Sequence, residues 1–255
     1  MTAFWSGLAL LLVAWTGLWL VSVRLRDVSI VDIAWGPAFL IMALVGRWHA
    51  ADPGLRSDLT LAAVAIWSLR LAVHLALRAR GRGEDRRYAA MRSEHGEAFV
   101  TRSLVTVFWL QAVLAGVLSV PLLAAVDSAG APGVAGWLGL GLVASGVLLE
   151  SVADAQLVRF KRRRDSDAGV LDSGLWRYSR HPNYFGEAVL WWGFGLLAVD
   201  AGAIWTIFSP VVMTGLLLKV SGVPLLEEDM RERRPEYADY VRRTPSFIPW
   251  FPRDE

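Results

Sequence analysis

Seven blocks of this chain are apolar enough, over enough residues, to span or nearly span a bilayer: about 3 to 23, 28 to 46, 58 to 77, 104 to 126, 133 to 153, 184 to 200 and 203 to 226. Several contain Gly and Pro, which membrane helices tolerate better than soluble ones. The pattern predicts an all-α, polytopic membrane protein with seven transmembrane helices. The first block has no basic segment ahead of it and no small-residue cleavage site before Arg24-Leu25-Arg26, so it reads as a retained span rather than a signal peptide. No repeat, low-complexity tract or Ser/Gly linker interrupts the chain, and residues 1–255 read as one integral membrane domain.

Charge orients these spans. With the N-terminus outside, the connections 24–27, 78–103 and 154–183 and the C-terminal tail share one side. They hold all 26 Lys and Arg residues except Arg47, Arg56, Arg70 and Lys219. Basic residues stay on the cytoplasmic side, so the C-terminus is expected there; with only two lysines among the 26, the arginine bias suggests a GC-rich bacterial genome and so a bacterial inner membrane. Composition agrees: 55% hydrophobic residues, 13 Trp and a mean hydropathy of +0.40 are too apolar for a single soluble core. The chain has no cysteine, which excludes disulfides and thiolate chemistry. Its net charge of +2 is small, and membrane lipids rather than nucleic acid or an obligatory protein are the expected partners.

Within the spans, the informative residues are polar. Asp32 lies about one turn into the second span. Trp67, Arg70, His74 and Arg78 recur at spacings of three and four and so share one face of the third. An Asp32–Arg70 ion pair could simply lock two helices. The alternative is a polar-lined cavity, because ionisable groups at this depth are functional candidates. Trp35 and Trp67 then become its apolar walls. Glu150 and Asp154 close the fifth span on one face, and Gln111, alone in the fourth, reads as an interhelical hydrogen bond.

The densest polar cluster runs from Gly174 to Glu187. It places Arg177, Tyr178, Arg180, His181, Asn183 and Tyr184 at the mouth of the sixth span. Pro182 suits the first turn of a helix. A helix start among arginines favours phosphate, and Glu187, four residues past Asn183, projects from the same face. The basic run Lys161-Arg162-Arg163-Arg164 reads either as a headgroup anchor or as a neutraliser of cofactor phosphates. Glu227 and Glu228, just after the seventh span, face the same compartment. The C-terminal half, about 104–255, therefore carries most of the expected cofactor site.

Ser179-Arg180-His181-Pro182-Asn183-Tyr184-Phe185-Gly186-Glu187, with the later Pro-Glu-Tyr-x-x-Tyr and Ile-Pro elements, resembles the C-terminal signature of the steroid 5α-reductase family in its bacterial branch. The Arg-His-Pro-x-Tyr core followed by a Glu-Glu pair also looks like the isoprenylcysteine carboxyl methyltransferases, which use S-adenosylmethionine. The first resemblance implies an NADPH-dependent oxidoreductase acting on the C=C bond of lipophilic enones, typically 3-oxo-Δ4-steroids that arrive from the bilayer. Asn183 and Glu187 then match cofactor-holding positions, and Asp154 matches an acid at the end of the fifth span. Tyr178, Arg180, His181, Tyr184, Lys161, Arg162, Glu227 and Glu228 are expected to complete the cofactor site. Asp32 corresponds to a carbonyl-holding glutamate, one methylene shorter. The tyrosine that assists that glutamate has no counterpart on the third span, so Arg70 and His74 join Asp32 as catalytic candidates, with Trp35 and Trp67 against the substrate.

Overall fold

The computed structural model describes residues 1–163, 169–219, 227 and 237–253. Among them all regular structure is helical. They form two compact units, Met1–Gly136 with Leu197–Thr206, and Trp137–Leu196 with Ile207–Glu255.

In the first unit, α1 (Thr2–Leu25) ends on Arg26, whose left-handed φ of 54° turns the chain sharply. The Asp27 N–H reaches back to the Ser22 carbonyl at 3.1 Å and closes the last turn. A one-turn helix, α2 (Ile30–Ile33), and then α3 (Trp35–His49) follow. The sequence pattern predicts one continuous span over 28–46, and the structure breaks it at Ala34. Pro37 explains the break, since it has no N–H to offer the Ile33 carbonyl four residues earlier. Asp32 consequently sits at the end of a short helix beside a corner, rather than one turn inside a long one.

Helix α4 (Leu55–Ala79) crosses α3 at very short range. A Cβ on Gly36 would lie 2.8 Å from the Ser68 carbonyl oxygen, so only glycine permits this approach. Helix α5 (Arg86–His95) is capped by Asp85, which accepts from the Arg87 N–H at 3.0 Å. Helix α6 (Ala98–Leu118) contains a wide π turn over Leu104–Trp109. Pro121 opens α7 (Val120–Val126). At the far end of α4, Arg56 meets Asp200 at 2.9 Å, and Asp200 also accepts from the Gly133 N–H at 2.9 Å.

The second unit is built on α8 (Val134–Arg162) and α9 (Pro182–Asp200), joined by α10 (Phe208–Lys219) and α11 (Tyr237–Arg243). α8 and α9 touch through glycines. A Cβ on Gly146 would stand 2.5 Å from the Gly186 carbonyl oxygen, and one on Gly193 would stand 2.6 Å from that of Gly139. Small residues at such crossings let membrane helices gain close van der Waals contact.

Four of the described helices, α1, α4, α6 and α8, are long and apolar enough to cross a membrane. The expected second, sixth and seventh spans appear as helices of 15, 19 and 12 residues, α3, α9 and α10. Of the seventh expected span, Ile204–Ile207 forms a 3₁₀ turn before α10, and residues 220–226 lie outside the described residues.

Candidate functional site

Each unit carries one polar constellation. In the first, Asp32 is the hub. Its Oδ1 accepts from the Tyr88 hydroxyl at 2.8 Å and from Gln111 Nε2 at 3.3 Å, while its Oδ2 meets the Arg87 guanidinium at 3.0 Å. Gln111 is thus the interhelical hydrogen bond its isolation suggested. Arg87 also holds Asp85 at 3.0 Å and so bridges two carboxylates.

Tyr88 is 6% exposed. Burial, and then the neighbouring Asp32 charge, push its phenol well above the ordinary tyrosine value, so it stays protonated and donates. Burial works against the Arg87 charge, but Asp32 and Asp85 more than offset it and hold the guanidinium firmly protonated. Sequence reasoning left Arg87 and Tyr88 in the basic connection 78–103, as a lipid-headgroup anchor rather than as site residues. The available signal was the change at Asp85-Arg86-Arg87-Tyr88 from a Gly-rich turn to a capped helix.

Beside this hub stands an aromatic wall. Trp35 and Phe39 meet edge-on at 5.1 Å, and Phe39 tilts against the fully buried Trp67 at 5.4 Å. Trp35 and Trp67, both expected to face substrate, are therefore brought together through a third ring. Arg70 and His74 are half-buried on α4, one and two turns past Trp67.

In the second unit, Pro182 begins α9 as its sequence predicts, and Asn183 follows in the first turn. Asn183 Oδ1 accepts from the Tyr184 N–H at 3.0 Å, and its Nδ2 donates to Asp154 Oδ1 at 3.3 Å. One turn on, Glu187 accepts from the Trp191 indole at 2.9 Å. Glu150, Asp154 and Glu187 are all buried. The glycine contact of α8 with α9 sets their spacing, because Gly186 lies against Glu150 itself.

The other residues of the motif tie down the C-terminal segment. Arg180 donates from Nε to Glu227 at 2.9 Å and from one terminal nitrogen to the carbonyls of Val241 and Thr244 at 2.8 and 2.9 Å. Its other terminal nitrogen meets Glu227 at 2.8 Å. His181 approaches Glu227 at 3.3 Å and stacks on Tyr184, with ring centres 5.8 Å apart. Burial opposes the charge on Glu227, but the His181 and Arg180 contacts prevail and hold its carboxyl below the usual range. Ser179 and Tyr178 bond the backbone of Phe247 and Trp250 at 2.8 and 2.9 Å, and Tyr240 donates its hydroxyl to the Trp176 carbonyl.

Tyr178 remains partly open, edge-on to Phe251. Lys161 and Arg162 extend from the exposed last turn of α8. Nearby, a cleft of about 440 Å³ is lined by Gln156, Arg159, Phe160, Arg163 and the 171–174 segment. Two guanidinium-bearing residues and an aromatic ring around an open cleft fit an anionic, ring-bearing group such as a nucleotide. Glu228 and Arg164 lie outside the described residues.

A family model matches residues 18–244, and its description is a protein of unknown function, DUF1295. The chain belongs to the DUF1295 family. That family includes steroid 5α-reductase-like membrane proteins. Over 85 residues, or 32% of its length, the chain is 34% identical to the uncharacterized protein C594.04c of Schizosaccharomyces pombe. The match covers 24% of that protein, so it spans about a quarter of the length of the curated relative. No solved structure matches the DUF1295 chain.

Proposed function

We propose that this DUF1295 protein is an NADPH-dependent membrane reductase that saturates the C=C bond of a conjugated lipophilic ketone, with a 3-oxo-Δ4-steroid as the type of substrate. The observation that carries the reading is the buried Tyr88 hydroxyl, 2.8 Å from Asp32 and held protonated at the edge of an aromatic-walled, apolar helical unit. In this reading all seven apolar blocks span the membrane, the N-terminus is outside, and the basic mouth of α9 faces the cytoplasm of a bacterial cell. A rigid apolar ketone enters from the bilayer and lays its rings against Trp35, which Phe39 and the buried Trp67 back.

When bound, NADPH supplies a hydride for the β-carbon of the enone. Negative charge then gathers on the carbonyl oxygen, and a donor placed there in advance lowers the barrier. With the ketone bound, the Tyr88 O–H turns from Asp32 to that oxygen and gives it the proton. Asp32 orients the phenol, and the Arg87 guanidinium, 3.0 Å from its other oxygen, holds the Asp32 side chain in place. Water then delivers a proton to the α-carbon as the enol returns its O–H proton to Tyr88, which leaves the saturated ketone and a phenol ready for the next turnover. Arg70 and His74 line the path by which water reaches it. Asn183, Glu187, Asp154, Tyr178, Lys161 and Arg162 hold the nucleotide, while Arg180, His181 and Glu227 brace the loop that presents Asn183.

The purified protein, warmed with NADPH, NADH or S-adenosylmethionine, decides the class, because a ligand that binds only the folded state raises Tm. NADPH is expected to do so, and progesterone or testosterone should then be converted to the saturated ketone. Asp32→Asn should retain the NADPH shift and lose most turnover. A Tm rise with S-adenosylmethionine alone, followed by methyl transfer, would replace the reductase by a methyltransferase of the isoprenylcysteine type.

A further inference from the structure

The segment that delivers Tyr88 has little reason of its own to hold still. Residues 80–85 carry no regular structure, Gly81 adopts φ +71°, and a Cβ on either Gly81 or Gly83 would meet nothing. Helix α5 has only ten residues, too few to be stable without docking. Yet Tyr88 is buried, and its hydroxyl is placed to hydrogen-bonding precision.

Glu84 accounts for this. Its Oε1 accepts from the Val28 backbone N–H at 2.9 Å and from Arg92 at 2.7 Å, and its Oε2 accepts from Arg92 Nε at 2.8 Å. This is a bidentate carboxylate–guanidinium fork with a third bond to the main chain. The Glu84 side chain is 11% exposed. Next to it, the Asp85 N–H donates to Ser29 Oγ at 2.6 Å. The Arg92 guanidinium lies over the fully buried Phe99 ring at 4.9 Å, which fixes its far side.

The register is what matters. Val28 and Asp32 are four residues apart at the α1–α2 corner, and Tyr88 and Arg92 are four apart on one face of α5. The corner and the helix are joined by two rungs, Val28–Glu84–Arg92 and Asp32–Tyr88. The first rung contains no group near the reacting carbonyl, yet it sets the height and rotation of the second.

We propose that the Glu84–Arg92 pair is a positioning latch, whose role in the reaction is to hold the Tyr88 hydroxyl against Asp32; this rests on the reductase reading for its kinetic part only. A misplacement of about 1 Å can cost about 100-fold in rate.

Three variants, Glu84→Gln, the milder Arg92→Lys, and Tyr88→Phe, test it by two measurements. Hydrogen–deuterium exchange over residues 84–92 needs no substrate, and both latch variants should speed it at least tenfold while Tyr88→Phe changes it less. In turnover, Glu84→Gln should lower kcat at least tenfold with the KM for NADPH unchanged. The same change placed on Tyr88→Phe should add less than twofold, because the residue it positions is already gone. Unchanged exchange in both latch variants overturns the latch. So does a kcat loss of equal size with and without the Tyr88 hydroxyl, which would make the pair a general support of the fold. Should the parent reduce no enone, the exchange result still decides the latch while the reductase reading falls separately.

Discussion

Gly146→Ala subjects the second unit to a sharp test. A methyl group there would sit 2.5 Å from the Gly186 carbonyl oxygen, and 2.7 Å from both the backbone nitrogen and the Cβ of Leu190. Two of these three atoms are helix backbone, which cannot swing aside as a flexible side chain would. Ordinary van der Waals contact begins near 3.4 Å, so α8 and α9 must part locally by about 1 Å. Overpacking of this kind costs about 1–3 kcal/mol. The separation also reaches the polar cluster two turns along α8, where the Asn183–Asp154 bond, already 3.3 Å, would open past hydrogen-bonding range. The variant should therefore melt several degrees lower in detergent, and the added stabilisation by NADPH should shrink or vanish. Gly141→Ala is the control. It lies on the same helix, its Cβ would meet nothing within 4 Å, and alanine is the better helix former, so Tm should hold or rise slightly. If Gly146→Ala and Gly141→Ala melt together and bind NADPH alike, the glycine contact does not set the spacing of the two helices.

Tyr88→Phe should keep the ring packing and lose one hydrogen bond to a carboxylate, a stability cost of about 1.5–3 kcal/mol by thermal unfolding. Its turnover should fall by a factor of about 10²–10⁴, and retained turnover would remove the phenol from the chemistry. Arg180→Ala leaves Glu227 buried without its closest cation and frees the carbonyls of Val241 and Thr244; a loss of about 3–5 kcal/mol and rapid tryptic cleavage in the C-terminal segment are expected, and an uncut tail would show that other contacts suffice. Acidification should release the Tyr88 segment. The Arg92 hydrogen bond is the first cause holding Glu84 below its ordinary value of 4.5, so its contribution is complete above that pH and is lost as pH falls through the lower folded value. The protection factors of residues 84–92, with the intrinsic pH dependence of amide exchange divided out, should accordingly fall below pH 4.5, and protection that does not change there would count against that charge interaction.

What could be read without coordinates was whatever depends on neighbours along the chain. Length and apolarity foretold α1, α4, α6 and α8, because the need to satisfy every backbone group within the segment leaves little choice but helix. Pro182 announced the start of α9, since its missing bond costs nothing there. The shared face of Asn183 and Glu187 follows from helical spacing alone. Pro37 was equally visible, and it broke the expected second span because one lost backbone bond outweighs a favourable hydropathy. Gly139 and Gly146, like Gly186 and Gly193, are seven residues apart, a repeat that could have been read as a helix contact.

Tertiary structure decided the partners. Asp32 and Tyr88 are separated by 56 residues, and nothing local states that α5 folds back onto the α1–α2 corner. That placement depends on Glu84 finding the Val28 N–H across 56 residues of chain and on Arg92 lying over Phe99. Arg180 shows the same limit from the other direction. Its neighbours in sequence suggested a phosphate ligand, yet its donors point to Glu227 and to carbonyls more than 60 residues away, because a buried guanidinium must find acceptors wherever the fold brings them.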